Sequence, residues 1–188
     1  MEHILAFDWA VFCWIEETLW NPLLDSWMVA VTKLGDGLVW VLLTLALWLH
    51  PKTRRAGTAV AIALLLSVVV GNGLLKHLIG RPRPFDLPAW QEMFRYPELI
   101  LRPDSPSFPS GHTGAAVGAA TALAMSEKKW WTAAIVLLAL LIGFSRVYLH
   151  VHYPTDVLAG AAIGVCYGLA GCLLGKKVHR RIRSVNLK

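Results

Sequence analysis

Eight residues in three short blocks of this 188-residue chain could together cleave a phosphate ester. They are Lys76 and Arg83; Ser110, Gly111 and His112; and Arg146, His152 and Asp156. Three cations can neutralise a phosphoryl group, and two histidines can divide the roles of nucleophile and acid. The carboxylate of Asp156 can orient an imidazole. Such a site forms only if the fold brings the three blocks together.

The composition indicates a protein whose solvent is lipid. Hydrophobic residues make up 56% of the chain, and the mean hydropathy of +0.52 is too high for an ordinary soluble domain. The uncharged runs 56–75 and 157–175 are each close to the roughly 20 residues that cross a bilayer. We interpret the shorter runs 37–50, 111–126 and 132–145 as spans too. The predicted fold class is all-α, a polytopic transmembrane helical bundle of five to six spans.

The first 34 residues are harder to assign. Glu16, Glu17 and Asp25 interrupt an aromatic stretch, and a central Asp costs about 2.5–3.5 kcal/mol in a membrane span. We therefore expect an N-terminal interfacial amphipathic segment of one or two helices, with a sixth full span as the alternative. The start lacks a basic n-region, so we expect no cleavable signal.

The positive charge is distributed as a topology signal. The net charge is +6, and most of the 18 lysines and arginines lie in 52–55, 128–129 and 176–188, which share one side if the spans alternate. The positive-inside rule makes that side cytoplasmic. A nucleic-acid surface would need aromatic interleaving or a soluble fold, so we predict no nucleic-acid partner.

Counting spans from the cytoplasmic tail places the three blocks on the opposite, outer side. Run 157–175 then begins outside, next to His152 and Asp156. The same alternation puts Lys76 and Arg83 at the outer end of run 56–75, and residues 110–112 at the outer start of the next span. We predict a multi-pass protein of the inner or plasma membrane with its site facing outside and its C-terminus in the cytoplasm.

This topology predicts one membrane domain, 1–188, in three parts. Residues 1–34 form the interfacial or first-span segment, 35–175 the helical core with the active site, and 176–188 a basic cytoplasmic tail. Phospholipids of the membrane are the expected surroundings of all three parts.

Local sequence patterns place the blocks more finely. Ser110 follows a proline-rich approach and is a good N-cap, so helix amides would face a bound phosphate. Pro154 indicates that His152 lies in a turn and Asp156 in the first turn of the next helix. Glycines recur every four residues in both helices that follow the histidines, at 114 and 118 and at 160, 164 and 168. This spacing predicts close packing of the two helices.

Two features have alternative interpretations. The loop 85–108 carries Trp90, Phe94 and Tyr96 among prolines. It is either a lid over a lipid headgroup or a segment that lies at the membrane interface without a role in the site. His150, His152 and Asp156 could be imagined as metal ligands. We favour a site without metal, because Arg146 and Lys76 would repel a divalent ion and no carboxylate cluster exists.

Taken as patterns, the blocks form a three-part motif. The patterns are Lys76-x6-Arg83-Pro84, Pro109-Ser110-Gly111-His112 and Ser145-Arg146-x5-His152-x3-Asp156. The motif resembles the signature of the type 2 phosphatidic acid phosphatase family of integral membrane lipid phosphatases, and the resemblance covers roughly residues 70 to 175. No position of the signature is substituted.

The resemblance implies a role for each residue. His152 is similar to the nucleophile that becomes phosphohistidine, Asp156 to its orienting partner and His112 to the acid that protonates the leaving oxygen. The implied phosphate-binding set is Lys76, Arg83, Ser110, Gly111 and Arg146. No cofactor is implied.

The expected function is hydrolysis of a phosphomonoester or diphosphate lipid, first of all undecaprenyl diphosphate to undecaprenyl phosphate. Phosphatidylglycerophosphate, phosphatidic acid and lipid A phosphate are alternatives that the eight residues do not separate. A lipid phosphotransferase could use the same site. A transporter is disfavoured because the ionisable residues cluster at one rim and not at mid-membrane. The oligomeric state stays open.

Overall fold

All regular structure in the described part of the chain is helical. The computed structural model describes residues 2–88, 90, 99–127 and 130–185. The α-helices are α1 (Glu2–Thr18), α2 (Pro22–Lys33), α3 (Gly37–Leu49), α4 (Arg54–Leu66), α5 (Lys76–Ile79), α6 (Gly111–Glu127), α7 (Trp131–Tyr148) and α8 (Pro154–Val185). A π-helical segment, Ser67–Leu75, joins α4 to α5, and a 3₁₀ turn covers Pro84–Asp86. The predicted all-α fold is confirmed.

Three stretches of the described chain are long and apolar enough to cross a membrane. They are Arg54–Asp86, Trp131–Tyr148 and Pro154–Arg181. A fourth arises if α2 and α3, which meet at a bend of 51°, are counted as one broken span. The chain therefore has three to four candidate spans, and the finer count of five to six stays a prediction.

Helix α6, which consists largely of small residues, forms the centre of the bundle. It is 17 residues long, and its alanines and glycines are buried between neighbouring helices. A Cβ atom on Gly160 of α8 would come within 2.7 Å of the Ser110 carbonyl oxygen, and one on Gly164 within 2.8 Å of the Gly114 carbonyl oxygen. Backbone thus lies directly on backbone, which confirms the predicted close packing of these two helices.

About two turns after Gly164, the same glycine-lined side of α8 contacts α4 with equal closeness. A Cβ on Gly171 would overlap the backbone carbonyl of Ala59, which is itself buried. Helix α8 therefore ties α4 and α6 into one unit. It continues without a break past Gly175 and through the basic residues that follow, ending at Val185.

The N-terminal helices pack on the bundle with their carboxylates paired. In α1, Phe12 and Ile15 are fully buried. In α2, Asp25 is buried and accepts a hydrogen bond of 2.7 Å from the Tyr148 hydroxyl of α7. Asp25 is one of the carboxylates whose burial in a membrane span would be costly, and it therefore has a hydrogen-bond partner. The position of this segment relative to the membrane interface stays a prediction.

The long loop after the 3₁₀ turn is anchored at both ends. Trp90 is buried and meets Trp9 and Phe12 edge to face, with ring centroids 5.0 and 5.3 Å apart. At the far end, the Ser107 amide donates to the Arg81 carbonyl at 2.8 Å. Phe94 and Tyr96 lie outside the described residues, so both interpretations of the loop remain open.

Substitution of Gly171 tests the contact between α8 and α4. We expect Gly171→Ala to destabilise the protein by about 1–3 kcal/mol, because the methyl group would overlap the Ala59 backbone and force the helices apart. Thermal unfolding in detergent micelles measures the effect. Gly37→Ala is the matched control, since a Cβ there meets no atom within 4 Å. Equal unfolding temperatures for Gly171→Ala and the parent protein would contradict the contact.

Candidate active site

Six of the eight predicted residues line one cavity of about 340 Å³. They are Lys76, Arg83, Gly111, His112, Arg146 and His152. Ser110 and Asp156 do not line it, and both are almost completely buried. The three blocks, far apart in the sequence, therefore meet at one end of the bundle.

Lys76 and Arg83 are fixed by carbonyl oxygens. Helix α5 begins at Lys76 and ends at Ile79. Gly80 follows with φ of +60°, a left-handed conformation that turns the chain back. The Lys76 ammonium donates to the Pro106 carbonyl at 2.7 Å and to the Ser105 hydroxyl at 3.1 Å. Arg83 donates from Nε to the Ser105 carbonyl at 2.6 Å. Uncharged oxygens of Ser105 and Pro106 thus hold both cations in place without cancelling their charge.

Arg146 approaches from the last turn of α7. Only 3% of the residue is exposed, and one terminal nitrogen donates to the Thr32 hydroxyl of α2 at 2.6 Å. Its buried Nε has no hydrogen-bond partner among the described residues. Arg146 lines the cavity, so its guanidinium can bind an anionic ligand there.

His152 lies between a cation and a carboxylate. Its Nε2 is 3.4 Å from a terminal nitrogen of Arg83, and its Nδ1 is 3.5 Å from Oδ2 of Asp156. The second distance is long for a hydrogen bond. Catalytic hydrogen bonds are often long in ligand-free sites and tighten when substrate binds. The geometry fits a tautomer with the proton on Nδ1 and a free electron pair on Nε2, the nitrogen nearer to the phosphate-binding cations.

Burial lowers the pKa of His152 well below its usual value, and the charges of Arg83, Arg146, Lys76 and His112 lower it further. The imidazole is therefore neutral at physiological pH. Neutral imidazole is the form that can act as a nucleophile.

The middle block opens α6. The Ser110 amide donates to the backbone carbonyl of Asp156 at 3.1 Å, which joins the start of α6 to the start of α8. The Ser110 hydroxyl is 2.9 Å from that of Thr113. A Cβ on Gly111 would come within 2.5 Å of Oδ1 of Asn72, so a side chain at position 111 would displace the Asn72 amide that lines the cavity.

His112 has a carboxylate partner that was not singled out in the sequence. Its Nε2 is 3.2 Å from Oδ1 of Asp36, the residue directly before α3. Burial opposes a protonated imidazole most strongly, Arg146 and Lys76 add to that opposition, and the Asp36 carboxylate favours the protonated form. Asp36 resembles an ordinary helix-start acid in the sequence, and nothing in the local pattern pairs it with a residue 76 positions away.

His150 faces the N-terminal helix. Its ring lies 4.7 Å from that of Phe12, and its Nε2 is 3.5 Å from the Glu16 carboxylate. Burial lowers its pKa to about 4. Within the described ranges, no group of three or more His, Cys, Asp or Glu side chains could hold a metal ion.

Part of the remaining wall of the cavity is apolar. This part includes Trp40 and Val41 of α3 together with Leu64 and Val68. Val41 and Val68 are also exposed on the outside of the bundle, at 49% and 59%. A cationic pocket therefore borders an apolar surface, which suits a ligand with a phosphate at one end and a hydrocarbon chain at the other.

Comparison with known proteins identifies relatives with similar sequences. The chain is 32% identical over 143 residues to an undecaprenyl-diphosphatase of Sulfolobus acidocaldarius, an alignment of 75% of this chain and 66% of that protein. It is 32% identical over 150 residues to the undecaprenyl-diphosphatase BcrC of Bacillus subtilis, covering 79% and 73% of the two chains.

A solved structure is similar over nearly the whole chain. The crystal structure of a transmembrane PAP2 type phosphatidylglycerolphosphate phosphatase from Bacillus subtilis superposes with a TM-score of 0.69 at 25% identity. The match covers 97% of this chain and 89% of that one. Together with the long apolar helices, this likeness shows an integral membrane protein.

The sequence model of the PAP2 superfamily matches residues 56–180, a range that contains all eight residues of the motif. The resemblance found in the sequence is thereby confirmed, and the chain belongs to the PAP2 superfamily.

Proposed function

We propose that this protein hydrolyses a phosphorylated membrane lipid through a phosphohistidine on His152. The observation that carries the proposal is the convergence of Lys76, Arg83 and Arg146, each at most 5% exposed, on a single cavity. No carboxylate of the described residues lines that cavity. Three buried like charges repel one another, and an anion between them removes that repulsion.

The charge of a phosphate group matches this set of cations. A phosphomonoester carries about −1.5 to −2 charges near neutral pH. Two guanidinium groups and an ammonium can bind its oxygens and stabilise the charge that moves during reaction. The amides at the start of α6, beside Gly111, add donors at the positive end of a helix.

In the first step, Nε2 of His152 attacks phosphorus and forms a P–N bond. The bond from phosphorus to the leaving oxygen breaks, and His112, whose protonated form the bound phosphate and Asp36 stabilise, gives that oxygen its proton. The resulting phosphohistidine carries a positive charge on its ring, which Asp156 stabilises from the Nδ1 side.

In the second step, water attacks the phosphohistidine. His112, now neutral, accepts a proton from the water as the new P–O bond forms. The P–N bond breaks, inorganic phosphate leaves, and both histidines return to their starting states. No metal ion takes part in either step.

Undecaprenyl diphosphate is the proposed substrate, converted to undecaprenyl phosphate. Two relatives named undecaprenyl-diphosphatases support this choice, and the apolar wall beside the cations suits a long hydrocarbon chain. Phosphatidylglycerophosphate is one alternative, because the structurally similar Bacillus subtilis protein bears that name. Phosphatidic acid, lipid A phosphate and transfer to another lipid remain alternatives that the assay below distinguishes.

The proposed orientation places the cavity outside the inner or plasma membrane. Its support is the distribution of lysine and arginine along the chain, from which the positive-inside rule assigns the three motif blocks to the outer side. In this arrangement, residues 35–175 hold the site and the basic residues 176–188 face the cytoplasm.

Replacement of the nucleophile tests the covalent step. We expect His152→Ala to abolish both turnover and the acid-labile phosphoenzyme. Among the described histidines, His152 is the one whose ring lies between the side chains of Arg83 and Asp156. Rapid quenching with ³²P-labelled lipid measures the intermediate, and the rate of phosphate release measures turnover. His77→Ala, an exposed histidine on the same end of the bundle, is the control. Turnover by purified His152→Ala would overturn the assignment.

The role of His112 is tested by comparing leaving groups. An alkoxide leaving from a lipid phosphomonoester needs a proton, whereas a phosphate leaving from a diphosphate needs it much less. We therefore expect His112→Ala to lower kcat about 10²–10⁴-fold on a monoester and by a smaller factor on a diphosphate of the same chain. An equal loss on both substrates would show that His112 does not act as the acid.

A substrate panel tests the proposed function itself. Purified protein in detergent with EDTA is assayed against undecaprenyl diphosphate, phosphatidylglycerophosphate, phosphatidic acid and lipid A. We expect the highest kcat/KM for undecaprenyl diphosphate, with one inorganic phosphate released per turnover. Release of less than one phosphate together with a new phospholipid would indicate transfer, and strict metal dependence would contradict the mechanism.

A further inference from the structure

The N-terminal helix places a buried carboxylate directly behind the proposed catalytic pair. Asp8 of α1 is fully buried. Its Oδ1 accepts from the Thr155 amide at 2.9 Å, and its Oδ2 accepts from the Thr155 hydroxyl at 2.8 Å and from Arg81 at 2.8 Å. These contacts tie residue 8 to the first turn of α8, 147 positions later in the chain.

Asp8 supplies what α8 lacks at its start. The helix begins at Pro154, so Tyr153 stands at the N-cap position, where its side chain has no oxygen that can reach the first amides. The Asp8 carboxylate takes that role from another helix by accepting the Thr155 amide. Asp156 completes the arrangement by accepting the Tyr153 amide at 3.0 Å, as the third residue of a capping box does.

Arg81 joins the two carboxylates. One terminal nitrogen donates to Oδ1 of Asp156 at 2.6 Å, and the other donates to Asp8 at 2.8 Å. The guanidinium carbon also lies 3.8 Å from the centre of the Tyr153 ring. Arg81 is thus clamped on three sides, and Asp156 is held through the oxygen that points away from His152.

This arrangement divides the two oxygens of Asp156 between two tasks. Oδ1 pairs with Arg81, while Oδ2 faces the Tyr153 amide and Nδ1 of His152. With Asp8 present, one positive charge is shared by two carboxylates, so Asp156 keeps negative charge for an imidazolium. Without Asp8, Arg81 would pair with Asp156 alone and oppose a positive charge on His152.

We propose that Asp8 is a positioning residue for the reaction, acting through Arg81 and Thr155 to fix the place and charge of Asp156. Helix α1 then contributes a positioning residue to the active site. This inference rests on the proposed function, in which Asp156 stabilises the positively charged phosphohistidine. Asp8 contacts neither the cavity nor the substrate, so its effect falls on the chemical step.

Kinetics of Asp8→Asn provide the first test. We expect kcat to fall about 10–100-fold, the range typical of residues that orient a catalytic group from behind, while KM changes by less than about threefold. Phosphoenzyme formation slows by the same factor as kcat. Arg81→Lys is the second variant, because a single ammonium cannot bridge both carboxylates, and it should give the same pattern. An unchanged kcat in either folded variant would overturn the proposal.

A double-mutant cycle separates positioning from simple stabilisation of the fold. In an Asp156→Asn background, the Asp8→Asn change should lower kcat by no more than about threefold, because the group through which it acts is already neutral. A purely structural role for Asp8 would lower kcat by the same factor in both backgrounds. That additive result would refute the positioning role.

Asp25→Asn is the matched control. Asp25 is also a buried carboxylate of an N-terminal helix that bonds to the bundle, but its partner is Tyr148 and not Arg81 or Asp156. It should lower the unfolding temperature while kcat stays within about twofold of the parent. A loss of kcat as large as that of Asp8→Asn would show that any loosened N-terminal helix impairs activity, which contradicts the proposal.

The same experiments distinguish failure of the inference from failure of the proposed function. If Asp156→Asn alone leaves kcat unchanged, Asp156 has no catalytic role and the proposed mechanism fails. If Asp156→Asn lowers kcat while Asp8→Asn and Arg81→Lys do not affect it, the mechanism stands and only the inference fails.

Discussion

The structure depends on the burial of three cations around one cavity in an apolar helical bundle. Lys76, Arg83 and Arg146 are nearly inaccessible, and each charge taken out of water costs several kcal/mol unless it has partners. The protein supplies neutral partners in the form of carbonyl and hydroxyl oxygens from the Ser105–Pro106 turn and from Thr32. These oxygens satisfy the donors without cancelling the charge, so the cavity keeps the positive potential that a phosphate requires.

The close contact between α6 and α8 complements this electrostatic design. Glycines at 160 and 164 let the α8 backbone lie on the carbonyls of residues 110 and 114, and the Ser110 amide bonds to the Asp156 carbonyl. His112 lies between residues 110 and 114, and His152 lies two residues before α8 begins. Their separation is therefore set by backbone packing, which leaves less freedom than packing between side chains. The carboxylates behind them, Asp36 and Asp156, then define the charge that each imidazole can carry.

The N-terminal helices connect to both parts of this site. Helix α2 provides Thr32, which holds Arg146, and α1 provides Asp8, which holds Arg81. Neither Thr32 nor Asp8 lines the cavity. Thr32 nevertheless fixes Arg146, which lines it, and Asp8 fixes Arg81, which supports Asp156. Buried polar networks of this kind are stable only when every member finds a partner, which links the folding of residues 1–34 to the geometry of the site.

The sequence by itself determined the composition of the site and the class of fold. Residue type, spacing and position at the ends of apolar runs were enough to choose six residues that line the cavity, because few residue types can bind a phosphate or act as a nucleophile. They are Lys76, Arg83, Gly111, His112, Arg146 and His152. Glycine periodicity also predicted which helices pack most closely. Only the tertiary structure decided which remote partners complete each group: Asp36 with His112, Thr32 with Arg146, and Asp8 with Arg81. These pairs join residues more than 70 positions apart whose local sequence is that of ordinary helix termini or helix faces. Their pairing follows from how the N-terminal helices dock on the bundle, and that docking cannot be predicted from spacing along the chain.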